Sequence, residues 1–108
     1  MRRPDVIKHC VFLSLADPAD LSVLDEPMQL LESLGQSVPG MIGFVHGPNK
    51  DFENKTPNHQ YGFVCTFNDR EAHLAYEKHP VHQKAGGMLI AACAGGYEGI
   101  LVADIEAE

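Results

Sequence analysis

Cations are scarce in this 108-residue sequence, and their scarcity excludes several classes of partner. Eight Lys and Arg residues stand against fifteen Asp and Glu residues, which gives a formal net charge of −7. Phosphate backbones are bound by clustered cations, so we expect no nucleic-acid partner. An anionic membrane surface is disfavoured for the same reason.

Cysteines are few and widely spaced. Cys10, Cys65 and Cys93 are odd in number, and none of them belongs to a CxxC pair. This spacing argues against a disulfide framework or a zinc knuckle and favours reduced, buried thiols. A thiol nucleophile is also disfavoured, because nothing near Cys65 or Cys93 in the sequence would lower a thiol pKa.

Long apolar runs are missing as well. No segment approaches the ~20 apolar residues of a membrane span. The apolar stretch after Arg2 and Arg3 is interrupted by Lys8 and His9, which leaves it shorter than the ~7–15 residues of a secretion signal. We therefore expect a cytoplasmic protein.

The remaining composition is that of a folded domain. Apolar residues make up 44% of the chain and charged residues 21%, which is ordinary for a globular protein. A chain of this length forms one core, so residues 1–108 are interpreted as a single domain with a limited stability margin.

Alternation of apolar residues predicts four β-strands. They are Val6–Leu15, Met41–Gly47, Tyr61–Phe67 and Glu98–Ile105. Between the second and third strands, the segment Gly47–Gln60 is rich in Gly, Pro, Asn and Lys, which predicts an exposed loop. This loop is interpreted as a solvated face, and a lid over a pocket is the alternative.

Apolar residues at three- and four-residue steps predict a first helix between Leu21 and Leu34. Pro27 falls inside this pattern. The helix therefore either kinks at the proline or restarts with Asp25 or Glu26 near its cap.

A second helix follows the third strand. Asn68 and Glu71 have the spacing of a capping box, and the helix is expected to run to residue 77 or 78. Pro80 breaks it and suits the first position of a new helix, which the glycine pair at 95–96 ends.

The element order is β-α-β-β-α-(α)-β, which predicts an α+β, ferredoxin-like protomer with an antiparallel four-stranded sheet. Helices cover only one face of such a sheet, yet three strands are apolar on both faces. Phe12, Val64 and Ile100 are predicted to lie on one face, and Val11, Phe63 and Leu101 on the other. An apolar face left in water is an association site. We therefore expect a homodimer that pairs through its sheets.

Several segments together resemble a known family. The most specific is Tyr76–His82, which has the pattern Tyr-x-x-His-Pro-x-His. The others are Ile7–His9, Val38–Met41, His46–Asn49, Tyr61–Phe67 and Val102–Ile105. In this order they resemble the stress-responsive α/β barrel domain, a branch of the dimeric α+β barrel superfamily. The resemblance implies a homodimer whose two sheets form a barrel, but it implies no single activity.

Plant polyketide cyclases of the olivetolic acid type are similar and catalytic, and this resemblance implies a pocket. Its catalytic candidates are His9, Tyr76 and His82. The implied substrate-binding positions are Val11, Leu13, Phe63, Gly86 and Leu101, and His79 of the His-Pro-x-His stretch is added to them.

The chemistry that suits these candidates is proton abstraction next to a carbonyl. His82 follows Pro80 near a helix N-terminus, whose positive end keeps the imidazole neutral and able to act as a base. Tyr76 would hold the base and the substrate, and His9 would donate a hydrogen bond to the enolate oxygen. Such a cofactor-free lyase, cyclase or isomerase needs no metal and acts on a small carbonyl or aromatic compound. A non-catalytic ligand-binding protein or a stress-associated structural dimer is the alternative.

Metal binding is the competing use of the histidines. His79 and His82 are three residues apart, and His73 lies six residues before His79. Pro80 interrupts the helix between the first two, so they do not share one helical face. A metal site built from these histidines is therefore disfavoured.

Overall fold

The computed structural model describes residues 5–108 and has four strands and three α-helices in that range. The strands are β1 (Val6–Leu13), β2 (Met41–Pro48), β3 (Tyr61–Phe67) and β4 (Ile100–Ala107). The helices are α1 (Asp25–Ser33), α2 (Arg70–Lys78) and α3 (Pro80–Ala92), with short 3-10 helices at Leu21–Leu24, Leu34–Gln36 and Gly96–Gly99.

The strands form one antiparallel sheet in the order β2-β3-β1-β4. This is the ferredoxin-like α+β arrangement, and the predicted fold class is confirmed. The helices cover one face of the sheet, and the core lies between the two layers. Leu13, Phe67 and Tyr76 are fully buried there. Within residues 5–108, every helix is too short or too polar to cross a membrane.

The helical segment around Pro27 restarts before the proline and is not kinked by it. A 3-10 helix ends at Leu24, and α1 restarts at Asp25. Pro27 is the third residue of α1, within the first turn, where a backbone N–H has no intrahelical partner to lose. The proline therefore lies in the first turn of a helix that restarts at Asp25, and it does not kink a continuous helix.

The start of α2 differs by one residue from the predicted capping box. Asp69, not Asn68, is the N-cap, and its carboxylate accepts a hydrogen bond of 2.9 Å from the backbone N–H of Ala72. Asp and Asn are about equally good caps, so spacing alone does not decide between neighbours. Pro80 begins α3 as predicted.

The sheet face away from the helices carries exposed apolar side chains, and we call it the outer face. Val45, Leu101 and Ile105 are 65%, 49% and 54% exposed on it. Leu101 pairs directly with Phe12 across β1 and β4. The two residues were predicted to lie on different faces of the sheet. That prediction is wrong, because directly paired residues point to the same face.

The loop between β2 and β3 is organised by one carboxylate. Asp51 Oδ1 accepts hydrogen bonds from the backbone N–H of Lys55 (2.8 Å), the backbone N–H of Thr56 (2.9 Å) and the Thr56 hydroxyl (3.1 Å). Phe52 stands beside this cluster with 91% of its surface exposed. The loop borders a depression on the outer face that also contacts Phe12 and Val45. The loop therefore belongs to the outer face of the sheet.

Candidate functional site

A cavity of about 450 Å³ lies between the helix-facing side of the sheet and helices α2 and α3. Its walls are mostly apolar, and its polar groups come from β1, β4, the two helices and the 3-10 helix Gly96–Gly99. These polar residues are His9, Tyr76, Glu77, His82, Tyr97 and Asp104. No residue of the 49–60 loop lines this cavity, so within the described chain that loop is not its lid.

His9 is buried on β1, with 8% of its surface exposed. It pairs directly with Asp104 of β4, and its Nδ1 lies 2.6 Å from Asp104 Oδ1. A carboxylate accepts hydrogen bonds, so Nδ1 carries the proton in this contact. The contact orients the ring and occupies Nδ1, so that Nε2 is the ring nitrogen that Asp104 does not contact.

Tyr76 is fully buried in the last turn of α2, between the two imidazoles. Its ring centroid is 4.5 Å from that of His82 and 5.8 Å from that of His9. The Cys65 thiol donates a hydrogen bond of 3.6 Å to its hydroxyl. Burial raises the pKa of Tyr76 far above its ordinary value, with Cys65 adding to the shift. The phenol therefore keeps its proton and acts as a neutral group.

His82 is the third residue of α3, directly after the helix begins at Pro80. Its Nδ1 is buried and has no hydrogen-bond partner among the described residues. Burial lowers the pKa of His82, although the nearby backbone of Glu77 works in the opposite direction. The ring is neutral near pH 7, and a lone pair is available on a nitrogen.

His73 is a second buried histidine that the sequence did not single out for the pocket. It packs against His9 with ring centroids 4.6 Å apart and is 2% exposed. Its Nδ1 lies 2.6 Å from Arg70 Nη1, and its Nε2 lies 3.2 Å from Glu77 Oε1. A guanidinium only donates, so Nδ1 of His73 accepts. Burial lowers the pKa of His73, and the nearby His9 adds to this shift.

Three catalytic candidates, His9, Tyr76 and His82, meet at this cavity, while their roles stay predictions. Among the predicted wall positions, Val11, Phe63 and Gly86 also line it. A Cβ at Gly86 would meet nothing within 4 Å, so this glycine leaves open space in the cavity wall.

The other three wall positions lie elsewhere. Leu13 is fully buried in the core, and Leu101 points to the outer face. His79 caps α3, where its Nδ1 accepts a hydrogen bond of 3.1 Å from the backbone N–H of Val81. On β4 the neighbours of Leu101, Ile100 and Val102, line the cavity instead. Because β4 is apolar on both faces, its sequence does not show which alternate residues face the helices.

Glu77 and Asp104 are pocket residues that sequence reasoning missed as site residues. Asp104 shares the predicted alternation of β4 with Val102, and this was the available signal. Its partner depends on the register of two strands that are distant in sequence, which alternation does not give. Glu77 follows Tyr76 directly in the family-like stretch, but as an exposed helical carboxylate it gave no signal.

A similar solved structure is a dimeric ferredoxin-like protein of unknown function from Jannaschia sp. CCS1. It is 45% identical to this chain, and the match covers 94% of this chain and 99% of that protein with a TM-score of 0.89. That protein is dimeric. A comparison with curated proteins found no match.

Two further similar structures have described activities. Hydroxynitrile lyase from Passiflora edulis is 17% identical, with 98% of this chain and 96% of the lyase covered and a TM-score of 0.78. SnoaB, a cofactor-independent oxygenase from Streptomyces nogalater, is 13% identical, with 98% and 95% covered and a TM-score of 0.70. At these identities the two structures establish the fold alone.

The family model of the stress responsive A/B barrel domain matches residues 7–107, which is nearly the whole chain. The order of strands and helices agrees with this match, and so does the solved relative at 45% identity. The chain belongs to the stress responsive A/B barrel domain family.

Proposed function

We propose that this protein binds a small carbonyl or aromatic compound in the cavity and catalyses proton transfer next to the carbonyl, as a cofactor-free lyase, cyclase or isomerase. The observation that carries the proposal is the Nδ1 atom of His82, which is buried and unpartnered among the described residues on a ring that lines the cavity. A neutral imidazole with a free lone pair is the usual general base near pH 7.

Each polar group has a proposed role. His82 takes the proton from the substrate carbon, and Tyr76 packs against it and keeps the ring in place. His9 donates from Nε2 to the developing enolate oxygen when its ring is protonated. Asp104 is a positioning residue, because it contacts His9 at Nδ1. Acid–base help of this kind contributes about 10²- to 10⁴-fold to a rate.

The apolar walls favour a small organic ligand over a charged metabolite. Val11, Phe63 and Leu89 contribute to them, and Gly86 leaves volume for a ligand between helix and sheet. Pockets that combine apolar walls with a few convergent polar groups are typical ligand sites. The same fold serves a lyase in Passiflora edulis and a cofactor-independent oxygenase in Streptomyces nogalater, and these relatives support a catalytic use.

We also propose that two copies associate through the outer face. Its exposed apolar residues, with Leu101 and Ile105 on one edge strand and Val45 on the other, would be removed from water in a dimer. The dimeric state of the Jannaschia relative supports this arrangement.

A ligand-binding protein without catalysis is the second candidate. It is favoured by the contact between the Tyr76 hydroxyl and Cys65, which holds that hydroxyl within the core instead of turning it toward a ligand. In that case the histidines only orient the bound molecule.

Deuterium incorporation separates these candidates without knowledge of the natural substrate. Small β-diketones and phenolic ketones are incubated with the protein in heavy water, and exchange at the carbon next to the carbonyl is followed by NMR. We expect faster exchange with the native protein and a return to the buffer rate in His82→Ala. His59→Gln, which removes a half-buried loop histidine, is the matched control and keeps the native rate.

Other outcomes are equally informative. Binding detected by thermal shift, with exchange at the buffer rate, would favour the non-catalytic candidate. Native exchange in a folded His82→Ala protein would remove His82 from the role of base. Neither binding nor exchange with any compound of the panel would contradict both candidates.

A further inference from the structure

Four metal-ligating side chains lie as two pairs on two facing elements. His9 and Asp104 are directly paired across β1 and β4. His73 and Glu77 are one turn apart on α2, at i and i+4, so they share a helical face. Both pairs belong to regular secondary structure, which holds a site more firmly than a loop does.

The donor atoms of these pairs converge. One ligand atom each from His9, His73 and Asp104 lies within 4.8 Å of the others. Glu77 Oε1 is 3.2 Å from His73 Nε2. Three candidate donors, two imidazole nitrogens and one carboxylate oxygen, therefore converge on one small region, and a Glu77 oxygen lies next to the His73 nitrogen.

A second observation points to a ligand in this region. His73 is 2% exposed, and its Nε2 is buried without a hydrogen bond among the described residues, despite its closeness to Glu77. Most buried polar atoms in folded proteins are hydrogen-bonded, and an unsatisfied one destabilises the fold. A ligand at Nε2 would remove that cost.

We propose that His9, His73 and Asp104 bind a divalent transition-metal ion, with Glu77 as the fourth ligand. Two imidazoles and two carboxylates suit zinc, cobalt or nickel, whereas calcium and magnesium prefer oxygen ligands alone. The two carboxylates balance the charge of the ion. This set shares only His73 with the histidines whose spacing was considered in the sequence. The proposal does not depend on the proposed function, because its test measures binding.

Binding requires a small adjustment of the carboxylates. Zinc–ligand bonds of about 2.0–2.2 Å place tetrahedral ligand atoms about 3.4 Å apart. The contact of 2.6 Å between His9 and Asp104 must open, the proton on His9 Nδ1 must move to Nε2 or be released to water, and the wider separations must close. The side chains of Asp104 and Glu77 are 45% and 42% exposed, so they are free to move while the buried histidines stay in place.

In its present position, Arg70 disfavours metal binding by His73 and Glu77. Its guanidinium lies 2.6 Å from His73 Nδ1 and 3.9 Å from Glu77 Oε1. A neutral imidazole that binds metal through Nε2 carries its proton on Nδ1, so a donor facing Nδ1 must move away. The Arg70 side chain is 61% exposed and can swing into water. Its removal is therefore expected to strengthen metal binding.

Calorimetric titration of the full chain with zinc chloride tests the site, with cobalt absorption as the second readout. We expect one ion per chain and the intense visible bands of tetrahedral cobalt. His73→Gln and Asp104→Asn should each weaken zinc binding by about tenfold or more. Arg70→Met should tighten it, and this variant is independent of the buried core because the side chain is mostly exposed.

Two control variants exclude other zinc ligands. His59→Gln removes a loop histidine, and Cys10→Ser removes the least buried of the thiols. Both should bind zinc like the native chain, and circular dichroism checks that every variant is folded. Unchanged affinity in folded His73→Gln, no gain in Arg70→Met, loss of binding in Cys10→Ser, or no zinc binding by the native chain would each overturn the proposal.

Discussion

Asp104 faces His9 directly across the β1–β4 ladder, and the 2.6 Å contact joins Asp104 Oδ1 to His9 Nδ1. The contact commits one ring nitrogen to the sheet and leaves the other for the cavity. A carboxylate in this position fixes both the tautomer and the orientation of an imidazole. The pair therefore defines which atom of His9 a ligand would meet.

Replacing Asp104 by Asn is expected to change the tautomer of His9, because an amide can donate to Nδ1 as well as accept from it. Nitrogen-15 NMR of the His9 ring reports the tautomer directly. If the proposed proton transfer operates, the deuterium exchange rate falls by about tenfold or more, with little change in ligand affinity. Glu106→Gln, two residues further along the same strand, is the control. An unchanged His9 spectrum in Asp104→Asn would contradict the positioning role.

Stability should fall on mild acidification. Burial lowers the pKa of both His82 and His73 in the folded chain, with Glu77 partly opposing the shift at each. The unfolded chain therefore binds protons first, below about pH 6.5. The contribution of the two histidines is fully present above that pH and is lost as the pH falls toward their lowered pKa values.

Urea unfolding between about pH 7.5 and 5.5 measures this loss. His82→Gln should flatten the pH dependence of the free energy of unfolding, whereas His59→Gln should leave it as in the native chain. Equal slopes in the native chain and His82→Gln would show that burial does not hold His82 neutral.

Two glycines should respond to alanine in opposite directions. Gly87 is exposed within α3, and a Cβ there meets nothing within 4 Å, so Gly87→Ala should stabilise the fold by about 0.5–1 kcal/mol. Gly40 has φ +90°, and a Cβ there would lie 2.7 Å from the Cβ of Ala72. Gly40→Ala should therefore destabilise the fold by about 1–3 kcal/mol or more. Chemical denaturation measures both, and equal effects of the two changes would show that neither the backbone angle nor the close contact distinguishes Gly40 from Gly87.

A charge on the outer face should prevent self-association. Leu101→Lys places an ammonium group where the proposed dimer would bury it, and the lysine would lack a partner of opposite charge. Light scattering after size exclusion should report a folded monomer. Val23→Lys is the control, because Val23 is similarly exposed (44% against 49%) but precedes α1, away from the sheet. A dimeric Leu101→Lys protein would contradict pairing through this face.

Local chemistry was enough to predict most of the fold. Alternation located the strand Tyr61–Phe67, and Pro80 marked the start of α3. The capping box failed by one residue because Asn68 and Asp69 are interchangeable as caps. A kinked helix and a restarted helix have the same sequence pattern around Pro27. Only the backbone from Leu24 onward shows that the helix restarts.

The candidate site was less accessible from the sequence. His9, Tyr76 and His82 were found through the family resemblance, because singly each is an ordinary core residue. Asp104 and His73 depend on contacts between elements far apart in the chain, which periodicity does not encode. The prediction for Leu101 failed because a strand that is apolar on both faces does not indicate which of its residues face the cavity.

Asp51 has a consequence for the whole β2–β3 connection. One carboxylate oxygen gathers donors from Lys55 and Thr56, so the twelve or so residues of the loop have few conformations left to lose. Phe52 is consequently displayed by a stiff support, and a molecule that meets it there would not have to freeze a mobile chain. Without the Asp51 carboxylate the loop would be more mobile, and a molecule that binds beside Phe52 would have to order it.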